Sequence, residues 1–90
     1  MKKVIKFYAD PGHGWAAVKT AELFKLGIGH LITGYSYVRG LTTYLEEDCD
    51  LTTYVEALKK KYPGIEIDFD IRTTDKSSPI RSYERVMGPS

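Results

Sequence analysis

Four groups of residues in this chain have types and spacings that can do chemistry. The first is Asp10-Pro11-Gly12-His13-Gly14-Trp15. It holds a histidine on a Gly/Pro turn at the end of a strand-like run, a place suited to a metal ligand. The second is Cys49 with His13 or His30 as its base, the pairing that a cysteine nucleophile needs. The third is the acidic run Glu46-Glu47-Asp48-Cys49-Asp50, since hard cations take clustered carboxylates. The fourth joins Tyr35-Ser36-Tyr37-Val38-Arg39-Gly40 to Ser77-Ser78-Pro79-Ile80-Arg81-Ser82-Tyr83. Both of these segments carry hydroxyls, a tyrosine and an arginine within a few residues. Arginine forks onto phosphate or carboxylate oxygens, hydroxyls add hydrogen bonds, and tyrosine stacks on a base.

Each group also has a plainer reading. Asp-Pro-Gly-His resembles the first zinc-ligand segment of the zinc-dependent peptidoglycan amidases, with His13 as the counterpart of the metal-binding histidine. A catalytic zinc needs about three protein ligands and a water position. Beyond Glu22 and His30 this chain offers no second ligand pair in that family's arrangement, so the motif reads as a turn and no metal is expected. Cys49 precedes a helix, whose dipole lowers a thiol pKa, but its acidic neighbours push the pKa back up. A buried structural cysteine is the better reading. The acidic run lacks the glycine and spacing of a calcium loop. It reads as carboxylates complementing a helix N-terminus, with Asp50 as N-cap. Alternatively, Glu46, Glu47, Asp48 and Asp50 form an acidic surface for a basic protein partner. The tyrosines of 35–38 can be core residues of a strand.

The elements that must position these groups follow from periodicity. Residues 4–9 alternate as a strand, with Ile5, Phe7 and Ala9 on one face and Lys6 and Tyr8 on the other. Residues 15–18 form a returning strand after the turn. A short helix over 21–26 follows, N-capped by Thr20 and closed by Gly27. Residues 31–38 and 41–45 flank Arg39-Gly40 as a hairpin, which puts Tyr35 and Tyr37 on one face. Leu51, Tyr54, Val55, Leu58 and Tyr62 recur at helical spacing, and Lys59, Lys60 and Lys61 favour the helix C-terminus. Pro63-Gly64 ends that helix. Ile65, Ile67, Phe69 and Ile71 then alternate with charged residues as a half-buried strand. The order β-β-α-β-β-α-β predicts an α+β fold: a mostly antiparallel sheet of about five strands with two helices on one face. Residues 1–72 would be a single domain. Residues 73–90 are a polar tail whose large apolar residues are Ile80, Tyr83, Val86 and Met87, either a flexible arm or a segment ordered by a ligand or a neighbouring subunit.

Composition narrows the function classes. Ninety residues allow one core. A formal net charge of +1 argues against dedicated DNA or RNA binding. Neither a membrane span nor a signal peptide is expected. The lone cysteine fits a cytoplasmic protein. Seven tyrosines suit both small cores and binding surfaces.

Four segments together carry a wider resemblance, spanning Asp10 to Tyr83. They are Asp-Pro-Gly-His-Gly-Trp, Tyr-Ser-Tyr-x-Arg-Gly, Tyr-Leu-Glu-Glu-Asp-Cys-Asp and Ser-Ser-Pro-Ile-Arg-Ser-Tyr. The combination resembles a group of small phage- and prophage-encoded accessory proteins without an assigned function. The resemblance implies an accessory, anti-defence role in the host bacterial cytoplasm and transfers no catalytic residues. The expectation is a non-enzymatic protein, without a cofactor, that binds and sequesters a phosphorylated, nucleotide-like small molecule. Arg39 and Arg81 would hold phosphates, and Tyr35, Tyr37, Tyr83 and Trp15 would wall the site. His13, Ser78 and Ser82 would add hydrogen bonds. So small a domain has little interior for a pocket, which favours a homo-oligomer. The competing expectation is an inhibitor that binds a host defence protein through the acidic surface. A small zinc or cysteine hydrolase is the third.

Overall fold

The computed structural model describes residues 1–86. Residues 87–90 of the expected tail, Met87 included, lie outside the described residues. Alternating residues build β1 (Lys2–Ala9), which returns through the Asp-Pro-Gly-His turn as β2 (Gly14–Lys19) with Tyr8 opposite Trp15. α1 (Thr20–Lys25) has six residues and buries Leu23. Gly27, at φ 74°, takes the left-handed position that ends a helix cheaply. The helix starts one residue earlier than expected and Thr20 does not cap it. The Thr20 hydroxyl is instead 2.7 Å from that of Thr43.

β3 (Tyr37–Arg39) and β4 (Thr42–Glu46) form the second hairpin, with Arg39 opposite Thr42. The turn is therefore Gly40-Leu41 and not Arg39-Gly40. Gly40 has φ 58° and, among the described residues, no non-glycine residue has a positive φ, the pattern of a type II′ turn. Residues 31–36, expected as strand, form a short 3-10 turn at Gly29–Leu31 and then an irregular loop. Strand propensity is overridden there because Thr33 and Ser36 bond to a side chain of the next helix, described below.

α2 (Asp50–Lys61) leads to β5 (Glu66–Thr73), which lies parallel to β1. After a 3-10 turn at Pro79–Ser82, β6 (Glu84–Arg85) pairs with β3. The sheet has six strands in the order β5-β1-β2-β4-β3-β6, all antiparallel except β5 with β1. The α+β class, the mostly antiparallel sheet and the two helices are as expected, with β6 added at one edge.

Both helices cover one face. Ile5, Ala16, Val18 and Leu45 project from the strands to meet Leu23, Tyr54 and Leu58, all buried. Each such large apolar side chain contributes roughly 1.5–3 kcal/mol. The opposite face carries Tyr8, Trp15, Tyr37 and Tyr44, as the strand registers require. Residues 74–83 run across this second face as a strap. Ile80 is buried on it, and the Tyr83 ring packs 5.2 Å from that of Tyr44. The described part of the expected tail therefore has a core to fill, and Ile80, Tyr83 and the bonds to Asp10 tie it to the sheet within the chain.

Candidate functional site

Two buried carboxylates shape the site. Asp10 ends β1 and its side chain is 1% exposed. Its Oδ1 accepts hydrogen bonds from the backbone N–H groups of Gly12 and His13, each at 2.9 Å, and from Arg81 Nη2 at 2.8 Å. Its Oδ2 accepts from Ser78 N at 3.0 Å and Arg81 Nε at 2.6 Å. The Asp-Pro-Gly-His turn thus aims a carboxylate at the strap. The Arg81 guanidinium, followed by the N–H groups of Ser78, His13 and Gly12, holds the Asp10 carboxyl well below the usual carboxylate range. Gly12 is required by this packing, since a Cβ there would lie 2.8 Å from Arg81 Nη2.

Asp50 performs the same task for the 33–36 loop. It is 1% exposed, and its Oδ2 accepts from Thr33 N at 3.1 Å, Thr33 Oγ1 at 2.8 Å and Ser36 Oγ at 2.5 Å. Ser36 Oγ in turn accepts the Glu46 N–H. The expectation that Asp50 caps α2 is corrected: Asp50 is the first helical residue and no side chain caps α2, while Glu46 accepts the N–H groups of Asp48 and Cys49 in the turn before it. Of the acidic set Glu46, Glu47, Asp48 and Asp50, Asp50 is buried, not part of the surface, and Glu46 is engaged. Only Glu47 and Asp48 of that set are exposed.

With both segments fixed, a groove of about 420 Å3 opens where the turn, the 33–36 loop and the strap converge. His13, Tyr35, Tyr37, Arg81 and Arg85 border it, with Trp15 at its floor. Trp15 is 2% exposed and the Arg81 guanidinium lies 5.4 Å from its ring, so it supports the groove and offers no free stacking face. Tyr35 is 66% exposed. Arg85 lies 5.6 Å from the Tyr37 ring, and its Nη1 reaches Gly34 O at 3.4 Å. The acidic wall of the groove is Glu46, Asp48 and Cys49.

The expected site residues divide in two. His13, Trp15, Tyr35, Tyr37 and Arg81 meet in this groove, whereas Arg39, Ser82 and Tyr83 border a separate open depression of about 540 Å3. There Arg39 lies 4.9 Å from the Tyr83 ring. Arg81 is spent on Asp10 and does not serve as a free phosphate fork. Ser78 is buried, with its hydroxyl accepting the Ile80 N–H, and the Ser82 hydroxyl donates to Pro79 O.

Cys49 is exposed, which corrects the buried reading. It borders the same groove as His13, but desolvation and the nearby Glu46, Asp50 and Asp48 push its thiol above the ordinary value. That is the wrong direction for a nucleophile. Among the described residues no three of His, Cys, Asp and Glu converge as metal ligands. No described helix is long and apolar enough to cross a membrane.

Sequence reasoning missed Asp10 and Arg85. Asp10 carried a readable signal, since Asp before Pro-Gly favours a turn closed by its own carboxylate. Arg85 had none, because a two-residue strand leaves no periodicity. No family model, curated protein or solved structure matches this chain.

Proposed function

We propose that the chain is a non-enzymatic binding protein that takes up and sequesters a small, phosphorylated, nucleotide-like molecule in the groove between Tyr35, Tyr37 and Arg85. The observation that carries this reading is the convergence of an exposed aromatic face, a second, half-buried tyrosine and a guanidinium with donors to spare on one groove of about 420 Å3. Tyr35 offers its exposed face to a planar ring, and such stacking contributes about 1–3 kcal/mol per base, while Tyr37 lies half-buried beside Arg85 and walls the groove. Arg85 lies beside the Tyr37 ring and, among the described residues, makes one long hydrogen bond to a carbonyl, which leaves donors for phosphate oxygens. His13 adds a donor at the turn. The phosphate role expected of Arg39 and Arg81 passes to Arg85, because Arg81 is clamped and Arg39 faces another depression. The resemblance to phage accessory proteins supplies the setting: removal of a nucleotide signal in the host cytoplasm.

The test is titration of the protein with linear and cyclic mono- and dinucleotides. Binding is read by calorimetry and by the fluorescence of Trp15, the sole tryptophan. Arg85→Ala and Tyr35→Ala should each weaken binding about tenfold or more, while Arg39→Ala leaves it unchanged. Failure of the whole panel to bind would overturn the reading. So would loss of binding on Arg39→Ala alone.

A further inference from the structure

β5 is an edge strand of eight residues, and among the described residues no strand pairs with its outer side. The Glu66 N–H donates to Met1 O and the Thr74 N–H to Ala9 O, so the even-numbered residues turn their backbone groups towards β1. Residues 67, 69, 71 and 73 therefore turn theirs outward, as a template for another strand. Two of the usual guards, proline and a bulge, are missing, since Glu66–Thr73 contains no proline and keeps an unbroken register with β1; its charges remain, all on one face. Phe69 is 40% and Ile71 61% exposed on the helical face.

The charges on the other face and the length of overlap decide what fits. Antiparallel pairing of two copies of β5 about a two-fold axis through Asp70 sets Asp68 of each copy opposite Arg72 of the other. It also sets Phe69 opposite Ile71, and all the outward backbone groups from Ile67 to Thr73 meet their complements. An axis through Phe69 instead sets Asp68 opposite Asp70 twice, and one through Asp68 sets acid against acid throughout. An axis through Ile71 sets Asp70 opposite Arg72, but it overlaps only residues 69–73 of the strand and leaves the outward groups of Ile67 unpaired. At the Asp70 axis the one like-charged pair, Asp70 with Asp70, is offset from within each copy. Arg72 lies 3.2 Å from Asp70, and Lys6 stands beside Asp70 in the β1 register. Asp68 keeps its own pair with Lys2 at 3.0 Å.

We propose that two copies of this chain associate through antiparallel pairing of their β5 edges about Asp70, forming one continuous sheet. This inference is independent of the groove, which lies towards the other edge of the sheet.

Sedimentation of the protein over a dilution series should show a dimer. Arg72→Asp and Asp68→Arg should each raise the dimer dissociation constant about tenfold or more, because each places like charges opposite one another twice. Mixing the two variants should recover a mixed dimer, since both cross-strand pairs are then opposite in sign again. Asp70 sits on the axis at a position where Cα atoms face at about 4.5 Å, within the roughly 4.4–6.8 Å span of a disulfide. Asp70→Cys in a Cys49→Ser background should therefore oxidise to a covalent dimer. A wild-type monomer at all concentrations would overturn the proposal. A dimer that neither cross-links through position 70 nor responds to Arg72→Asp would also overturn it, by placing the contact elsewhere.

Discussion

Asp50→Ala is the perturbation with the most to say about the groove. Three donors converge on one oxygen of Asp50, and Ser36, which supplies the 2.5 Å bond, is fully buried. Truncation leaves the Ser36 hydroxyl without its acceptor and frees the N–H and hydroxyl of Thr33, which is half-buried and partly rehydrated. A buried donor left unmade costs about 1–3 kcal/mol, and bonds to a charged acceptor stand at the upper end. With Thr33 discounted for its access to water, the loss is about 3 kcal/mol. A domain of this size has a stability of roughly 5–13 kcal/mol. The melting temperature should therefore fall by roughly 12–24 °C. Urea unfolding followed by Trp15 fluorescence measures the loss, and an unchanged m-value would show that the denatured state is unaltered. Asp50→Asn keeps an acceptor and should cost about half as much. Because the loop also presents Tyr35, Asp50→Ala should weaken ligand binding under conditions where the protein remains folded. A loss below about 1 kcal/mol would refute the reasoning. Water would then satisfy the three donors, and the loop would owe its shape to something else.

Asp10→Asn tests the strap through pH. The folded carboxyl lies below its unfolded value of about 3.9, so the Asp10 contribution is whole well above pH 4 and drains away as pH falls below it. The difference in urea midpoint between wild type and Asp10→Asn should thus shrink from pH 6 towards pH 2, and a constant difference would count against the clamp. Gly14→Ala places a Cβ within 2.6 Å of the Phe7 ring at the start of β2, and should cost about 1–3 kcal/mol by chemical denaturation. Tyr54→Phe removes the 2.8 Å bond from the buried phenol to Glu22 and should cost about 1 kcal/mol, read by the same unfolding assay. Glu22 keeps its pair with Lys3, which limits the loss.

Elements whose burial repeats with a regular period were legible in the sequence. β1, α2 and β5 alternate or recur at the spacing of their class, β2 follows from the turn before it, and the structure places all four within a residue or two of their expected positions. The 31–38 run failed because its Thr, Tyr and Val content suits a strand. Its hydroxyls, however, answer a carboxylate at Asp50, and no local pattern encodes a partner 14 residues away. The strap failed more completely. Its composition is polar, and its anchors are one buried isoleucine and a carboxylate 68 residues earlier in the chain. The candidate site was legible in its aromatic half, since His13, Trp15, Tyr35 and Tyr37 do meet. Its cationic half was not, because arginine near hydroxyls reads the same whether the guanidinium keeps donors to spare, as for Arg85, or is clamped, as for Arg81.

The two carboxylates also explain how so short a chain can border a groove. β3 has three residues and β6 two, too few ladder bonds to fix the segments beside them. Asp10 and Asp50 take over that work: each is 9% exposed or less and gathers the backbone and side-chain donors of a non-repetitive segment. Such a device fixes irregular backbone without thickening the core, so the space a larger protein would fill with side chains stays open between Tyr35 and Arg85. The cost is that each segment depends on a few side chains, whereas β1 and β2 are held by both their ladder and the apolar face beneath them. The groove is therefore the part of the molecule whose shape is most local in origin, which is where a small domain can place a binding surface without disturbing its core.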